Sequence, residues 1–240
     1  MKIIKSSLLL LIVLFSTISI YAQTVDEIIA KHIDSVGGKE KISGITSLRL
    51  ETTLEVMGTS GTSTTTILNG KGFRNQSDVN GQQVISVYTD KGGWQINPFA
   101  GVADPQPMTD EQYKAGEDQI FIEPFLDYAA RGSKVELLGQ EKIGNLNTYK
   151  IKFTNKDNAV TTYYIDASGF QIVQVVATAN SMGQEVEITT TMSDFKKTDY
   201  GIVIPQASEI NFGGQFTIVT KMQKVEVNPS VDVAIFEMKK

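Results

Sequence analysis

Few residues in this sequence could do acid–base, nucleophilic or metal chemistry. It contains one histidine, His32, and no cysteine, which argues against zinc sites and against cysteine–histidine nucleophiles. His32 falls on the apolar stripe of a predicted helix, where a structural role is expected rather than that of a base. Neither a Gly-x-Ser-x-Gly nucleophile motif nor a phosphate-binding glycine loop occurs. The sequence therefore predicts a binding protein, not an enzyme, with no cofactor and no metal.

Carboxylates are concentrated in one segment, and they are Asp104, Asp110, Glu111, Glu117, Asp118, Glu123 and Asp127. Paired carboxylates can hydrolyse glycosides or bind calcium. Their spacing indicates neither use, and the calcium-loop pattern with a glycine at its sixth position is missing. We interpret these acids as a solvated helix face.

The sequence has three arginines, Arg49, Arg74 and Arg131. The planar guanidinium of Arg74 or Arg131 could hold an anionic head group. A surface or salt-bridged position is the alternative for both. We keep Arg74 as a possible head-group contact.

The elements that would position these residues are mostly strands. Thr24 and Glu27 have capping-box spacing and predict an amphipathic helix that ends at Gly37. Alternating apolar and polar residues then predict about eleven antiparallel strands joined by short turns. The sequence thus predicts a mainly β (α+β) fold, a half-open antiparallel β-barrel whose concave face is filled or covered by helices.

One segment, about 109–132, interrupts the strand pattern. Thr109 and Gln112 repeat the capping-box spacing, and an apolar run that includes Phe121, Phe125 and Leu126 follows. We predict a helical insert that ends at Gly132. It could pack over one open end of the sheet, or it could be a mobile lid over a hydrophobic site.

A glycine-rich hairpin precedes this insert and carries the single tryptophan, Trp94. Asn97 and Pro98 end its returning strand, and Phe99 begins a loop. Trp94 could anchor the core, as buried tryptophans usually do, or line an apolar ligand cavity. The local sequence leaves both alternatives open.

The amino-terminal residues 1–22 have the pattern of a signal peptide, with Lys2 and Lys5 before an apolar run and a small residue, Ala22, at the expected cleavage site. Residues 24–240 are then expected to form one domain in the periplasm, without a lipidated cysteine. No later stretch is apolar enough to span a membrane. The net charge of −5 argues against nucleic acid as a partner.

Three stretches carry a resemblance to a known family. The segment 90–99, DKGGWQINPF, resembles a hairpin of the LolA/LolB-like periplasmic lipoprotein carriers, the outer membrane lipoprotein-sorting family. The segment 227–236, VNPSVDVAIF, is similar to the closing turn of that family, and 36–41, VGGKEK, to a helix end in its secreted homologues. The Lys-Arg-Pro lid switch of the carriers has no counterpart near Lys71–Arg74, so that switch is not carried over.

The resemblance implies an eleven-stranded half-barrel with a hydrophobic cavity under a helical lid. It also implies that lipoprotein acyl chains are received from an inner-membrane transporter and delivered to an outer-membrane acceptor. We therefore expect a carrier of acyl chains or another lipophile; an envelope sensor or scaffold of the same fold is the alternative. The residues expected at the cavity and lid are Trp94, Phe99, Phe121, Phe125 and Leu126.

Overall fold

Thirteen antiparallel strands form one open sheet in the computed structural model, which describes residues 23–181 and 184–239. The predicted signal peptide, residues 1–22, lies outside these ranges. The α-helices are α1 (Val25–Ser35), α2 (Lys39–Ser43) and α3 (Asp110–Gly116). The strands are β1 (Ser47–Val56), β2 (Thr59–Leu68), β3 (Gly72–Val79), β4 (Gln82–Thr89), β5 (Gly92–Asn97), β6 (Val102–Pro107), β7 (Lys134–Ile143), β8 (Leu146–Thr154), β9 (Val160–Asp166), β10 (Ile172–Ser181), β11 (Gln184–Lys197), β12 (Val203–Phe212) and β13 (Thr217–Val227). No helix in the described ranges is both long and apolar enough to cross a membrane.

The sheet consists of two arms that meet at its centre. The first arm, β1 to β6, and the second arm, β7 to β13, are each a series of hairpins, so neighbours in sequence are neighbours in the sheet. The arms join where β1 pairs with β13, with Leu48 opposite Val227 and Val56 opposite Ile218. The strands β6 and β7 are the two edges. This open arrangement confirms the predicted half-open β architecture, with thirteen strands where about eleven were expected.

Helix α1 forms where the sequence predicts it. The Thr24 hydroxyl accepts from the Glu27 amide, and the Glu27 carboxylate accepts from the Thr24 amide, so both sides of the capping box are present. The apolar stripe of the helix packs on the second arm through Ile28 and Ile29, against a core that includes Phe153. An isolated helix of this length would be unstable, so this packing is what stabilises it.

The sheet curls around the face that carries the helices. Helix α3 contacts β4, where the rings of Tyr113 and Tyr88 stack with centroids 6.4 Å apart, and it also contacts β10. Six strands separate β4 from β10 in the sheet. One short helix can reach both only if the sheet bends around it. We call this side the inner face and the opposite side the outer face.

The strand β6 lies in the stretch predicted as a loop. Pro105 and Pro107 lack the amide hydrogen that a central strand needs, and they argue against a strand. The strand β6 is an edge strand, and β5 is its one partner among the described strands. A proline whose nitrogen points away from β5 therefore removes no hydrogen bond between strands. The prolines therefore indicated an edge strand, not a loop.

The helical prediction for 109–132 is correct only in its first part. Helix α3 ends at Gly116, a 3₁₀ turn covers Glu117–Ile120, and the chain then continues as turns to Gly132. Pro124 has no amide hydrogen to continue a helix, and Asp127 has a left-handed backbone with φ of 51°. Side chains stabilise the turns instead, such as Asn69, whose Oδ1 accepts from the Ile122 amide. We call residues 117–132 the insert.

Candidate functional site

The helices and the insert cover one end of the inner face. On the second arm, α1 and Phe125 pack with Ile151 and Ile165 in one core cluster. A second cluster joins Val36 and Ile42 from the ends of α1 and α2 to Ile202, with Leu126 of the insert packed against it. This end of the half-barrel is filled by protein.

Phe125 is the centre of the filled end. Only 1% of its surface is exposed. Its ring meets Tyr163, Phe153 and His32 edge to face, with centroid distances of 4.9, 6.2 and 5.7 Å. Such edge-to-face contacts are favourable because the positive edge of one ring meets the negative face of another. In this structure the insert packs into the core through Phe125, and we refer to it as the plug.

A partly buried ion pair joins the insert to α1. His32 Nε2 lies 3.4 Å from Glu123 Oε2, and its Nδ1 lies 2.8 Å from the Phe170 carbonyl oxygen. Burial lowers the pKa of His32, but the charge and hydrogen bond of Glu123, with the Phe170 carbonyl, outweigh it and raise this pKa above its usual value. His32 has the structural role expected from its position in the helix.

A second ion pair fastens the insert to the β8–β9 hairpin. The Glu117 carboxylate is buried and accepts from Lys156 Nζ at 2.8 Å. Burial raises the pKa of this carboxyl, although Lys156 opposes the shift. Glu117 and Glu123 were predicted to lie on a solvated helix face; that prediction was wrong for these two residues. Sequence spacing cannot show partners that lie on other elements.

Arg131 contacts two other residues of the insert, Phe121 and Pro124. Its guanidinium carbon lies 3.9 Å from the centroid of the Phe121 ring, and its Nη2 donates to the Pro124 carbonyl oxygen. Its Nε is buried and has no hydrogen-bond partner. Burial lowers the pKa of Arg131 below its usual value, and the charges of Asp118 and Glu123 offset this shift only in part. Arg131 is thus a structural part of the plug.

None of the described helices covers the other end of the inner face. A row of residues paired across neighbouring strands runs from Val175 through Thr190, Ile210 and Ile218 to Val56. The next row adds Ile188 opposite Phe212. We call the apolar members of these rows the open trough: Val56, Val175, Ile188, Ile210, Phe212 and Ile218. All six are half-buried, and none belongs to the core clusters of the described residues.

The inner face of the first arm carries a polar cluster in the middle of β2 and β3. Asn75 Nδ2 donates to Ser63 Oγ at 2.9 Å and to Thr65 Oγ1 at 2.8 Å. Ser77 Oγ donates to Ser63 Oγ at 3.0 Å. The inner face of the half-barrel therefore has an apolar trough on the second arm and a polar cluster on the first. An amphiphilic molecule would match that division.

The residues predicted to line a cavity are not all brought together. Phe121, Phe125 and Leu126 lie in the plug on the inner face. Trp94 lies on the outer face, where its Nε1 donates to the Phe236 carbonyl oxygen at 2.8 Å. Phe99 is 62% exposed in the 3₁₀ turn Pro98–Ala100. Arg74 is also on the outer face, with its guanidinium 5.5 Å from the Trp94 ring.

Sequence reasoning missed the open trough, although the sequence carries a signal for it. The strands around Ile188, Ile210 and Ile218 alternate apolar and polar residues, which marks one face for burial. Among the described residues, no helix is long enough to cover all of these strands. An apolar face without a covering element indicates a binding surface.

The described residues contain no cluster of three or more histidine, cysteine, aspartate or glutamate side chains suited to a metal ion. The buried carboxylate of Glu117 is paired with Lys156, and the half-buried carboxylate of Glu123 is paired with His32. Each of these groups therefore has a structural partner.

Comparison with known proteins gives the fold. No protein-family model matches the sequence. No curated protein is significantly similar to it. Among solved structures, a LolA superfamily protein from Nitrosomonas europaea superposes with a TM-score of 0.58 at 12% identity, covering 90% of this chain and 98% of its own.

Two further structures agree. A domain assigned to the outer membrane lipoprotein-sorting proteins, from Vibrio parahaemolyticus, has a TM-score of 0.56 at 10% identity over 87% of this chain and 95% of its own. A DUF1329 family protein from Desulfovibrio piger has a TM-score of 0.56 at 11% identity over 90% and 98%. The chain therefore has the LolA-like fold, and the resemblance seen in its sequence is confirmed at the level of the fold.

Proposed function

We propose that this protein holds the acyl chain of a lipoprotein, or another lipophile, in the open trough and carries it through the periplasm. The observation that supports this most directly is the set of six half-buried apolar side chains that none of the described helices covers. Apolar surface of this kind on a concave face is typical of a ligand site.

The dimensions of the trough suit a long chain. Its first row crosses β10, β11, β12, β13 and β1. At about 4.8 Å between strands, four steps span about 19 Å. Each methylene buried there contributes about 0.8 kcal/mol, so a long acyl chain gains useful affinity without any catalytic group.

The plug is proposed to form the closed end of the ligand site. Phe125 contacts Tyr163, and Tyr163 is paired with Val175 of the trough. Phe125, with Phe121 and Leu126 beside it in the insert, is thus proposed to close the covered end of the ligand site. Ligand would enter from the open end, and the polar cluster at Asn75 would face its polar head.

The wider role follows from the same proposal. The predicted signal peptide would direct export and be cleaved near Ala22, and cargo would pass from an inner-membrane transporter to an outer-membrane acceptor. The description of the Vibrio parahaemolyticus domain as lipoprotein-sorting supports this role.

The test is acyl binding by matched variants on one strand. Ile218 faces the trough, and its neighbour Val219 faces the outer side, opposite Glu55. A fluorescent fatty acid is titrated into the wild type, Ile218→Asn and Val219→Asn, and displaced with a diacylated lipopeptide. We expect Ile218→Asn to weaken binding about tenfold or more, because a buried amide without a partner is costly, and Val219→Asn to bind like the wild type.

Two results would overturn the proposal. One is that the wild type binds neither the fatty acid nor the lipopeptide at saturating concentration, which would favour the sensor or scaffold alternative. The other is that both variants lose binding equally, because binding would then not depend on the inner face.

A further inference from the structure

The outer face of the first arm contains a polar pocket of about 370 Å³ that the proposed carrier function does not use. Its floor is formed by β1, β2 and β3, and residues after β13 form one wall. The lining residues are Arg49, Thr62, Thr64, Thr66, Arg74, Gln76, Asp78 and Ile235. Two of the three arginines in the sequence therefore meet in one pocket.

Arg74 is half-buried and has no carboxylate partner among the described residues. Its Nη1 donates to the Ile235 carbonyl oxygen at 3.0 Å and its Nη2 to Gln76 Oε1 at 2.9 Å. Burial lowers the pKa of Arg74, and no nearby acid offsets this cost. A guanidinium has five N–H donors, so donors remain beyond these two bonds. An anion in the pocket would stabilise the charge.

Arg49 lies on the same row of the sheet. Thr66 is paired with Arg49 on one side and Arg74 on the other, so the two arginine backbones are about 10 Å apart. Arg49 Nε is 3.7 Å from Glu51 and 3.9 Å from Glu226, which is longer than a hydrogen bond. An anionic group above Thr66 is within reach of both guanidinium groups.

The rest of the floor offers hydroxyl and carboxylate groups. Thr64 and Gln76 form the next row, and Thr62 and Asp78 the row after that. Asp78 is four residues from Arg74, about 13 Å along the strand. Its Oδ1 accepts from the Gly81 amide. A carboxylate at this end repels a second anionic group but accepts hydrogen bonds from ligand hydroxyls.

We propose that this pocket binds a small polyhydroxylated anion, a sugar that carries a carboxylate or a phosphate. The anionic group lies between Arg49 and Arg74, and the sugar hydroxyls extend along Thr64 and Gln76 toward Asp78. The site lies on the opposite side of the sheet from the open trough. The two ligands can therefore bind at the same time, and this inference does not depend on the proposed acyl binding.

The experiment is calorimetric titration of the folded protein with glucuronate, glucose 6-phosphate, glucose and inorganic phosphate. We expect both acidic sugars to bind, and neutral glucose to bind at least tenfold more weakly, because hydrogen bonds to charged groups are the strong ones. Inorganic phosphate should bind more weakly than glucose 6-phosphate, because it makes no contacts with the threonine rows.

Three variants locate the site. Arg49→Gln and Arg74→Gln should each weaken glucose 6-phosphate binding about tenfold or more. Arg74 also holds the Ile235 carbonyl, whereas Arg49 has no such contact, so Arg49→Gln tests binding without disturbing that wall. Thr64→Val should weaken binding about three- to tenfold, because it removes one hydroxyl at constant shape.

The charge-matched control is Lys152→Gln on β8, which removes one positive charge far from the pocket and should bind like the wild type. The emission of Trp94, which lies beside Arg74, should change on binding in the wild type and in Lys152→Gln. The proposal is overturned if neither acidic sugar binds, if binding survives in both arginine variants, or if inorganic phosphate binds as tightly as glucose 6-phosphate.

Discussion

Replacing Phe125 by alanine tests whether the insert is a fixed plug or a mobile lid. The ring is 1% exposed and makes edge contacts with Tyr163, Phe153 and His32. In a plug, the alanine leaves a cavity in the core of the folded protein. In a lid that opens readily, the ring would be exposed in the open state, and its loss would matter little.

The expected loss of stability follows from the burial. Replacing a buried phenylalanine with alanine costs about 3–5 kcal/mol, which includes both the transfer of the ring and the cavity left behind. Each aromatic edge contact contributes about 0.5–1.5 kcal/mol beyond its buried area. Because Phe125 has three such contacts, we expect a loss of about 4 kcal/mol, which is a large part of the stability of an ordinary domain.

The assay is urea unfolding followed by Trp94 fluorescence and by far-ultraviolet circular dichroism. The control is Phe99→Ala, because Phe99 is 62% exposed and its removal should change the free energy of unfolding by less than about 0.5 kcal/mol. A loss below about 1.5 kcal/mol for Phe125→Ala, with an unchanged slope against urea, would refute the plug and support a lid.

Two further predictions concern side-chain interactions between distant parts of the chain, the His32–Glu123 ion pair and the hydrogen bond between Thr46 and Asn228. The pKa of His32, read by NMR from the single imidazole, should lie above 6.5, and in Glu123→Gln it should fall below 6.5, because burial then outweighs the Phe170 carbonyl. The stabilising effect of the His32–Glu123 pair is complete below about pH 6.5 and is lost as the pH rises through the folded-state pKa. Asn228 has a φ of 59°, and its Oδ1 accepts from the Thr46 amide at 2.7 Å, so Asn228→Ala should cost about 2–3 kcal/mol and Asn228→Gly about 1–2 kcal/mol in urea unfolding.

Each of these predictions has a result that contradicts it. An unchanged His32 titration in Glu123→Gln would mean that the ion pair does not form in solution. Equal losses for the alanine and glycine variants at position 228 would mean that the left-handed backbone is not strained, and that only the lost hydrogen bonds matter.

The sequence predicts those parts of the fold that depend on local chemistry. The first helix is predicted by the Thr24 cap at its start and by Gly37 just after its end. The turn at Asn80 and Gly81 is predicted because asparagine and glycine readily adopt the left-handed backbone conformation. Alternation also shows which residues share a face of a strand. These signals are all contained within a few neighbouring residues.

The parts that the sequence does not predict depend on distant residues. Alternation shows that Trp94 faces away from Tyr88, but not which side of the sheet is concave. Its partner, the carbonyl of Phe236, lies 142 residues away. The apolar pattern of the insert predicts a helix, but Pro124 has no amide hydrogen and interrupts it. The turns of the insert are stabilised by contacts with other elements, such as the hydrogen bond that the Ile122 amide donates to Asn69 Oδ1.

The meeting of β1 and β13 at the centre of the sheet has a consequence for how the chain folds. Each arm consists of hairpins whose contacts are local in sequence, so each can form with little loss of chain entropy. The pairing of Leu48 with Val227 closes almost the whole described chain into one loop. We therefore expect the joining of the arms to be the slow step of folding, because the long-range contacts form only after that loop has closed. Until they join, Ile218 and Val56 remain exposed on separate edges, and the half-folded chain is prone to aggregate.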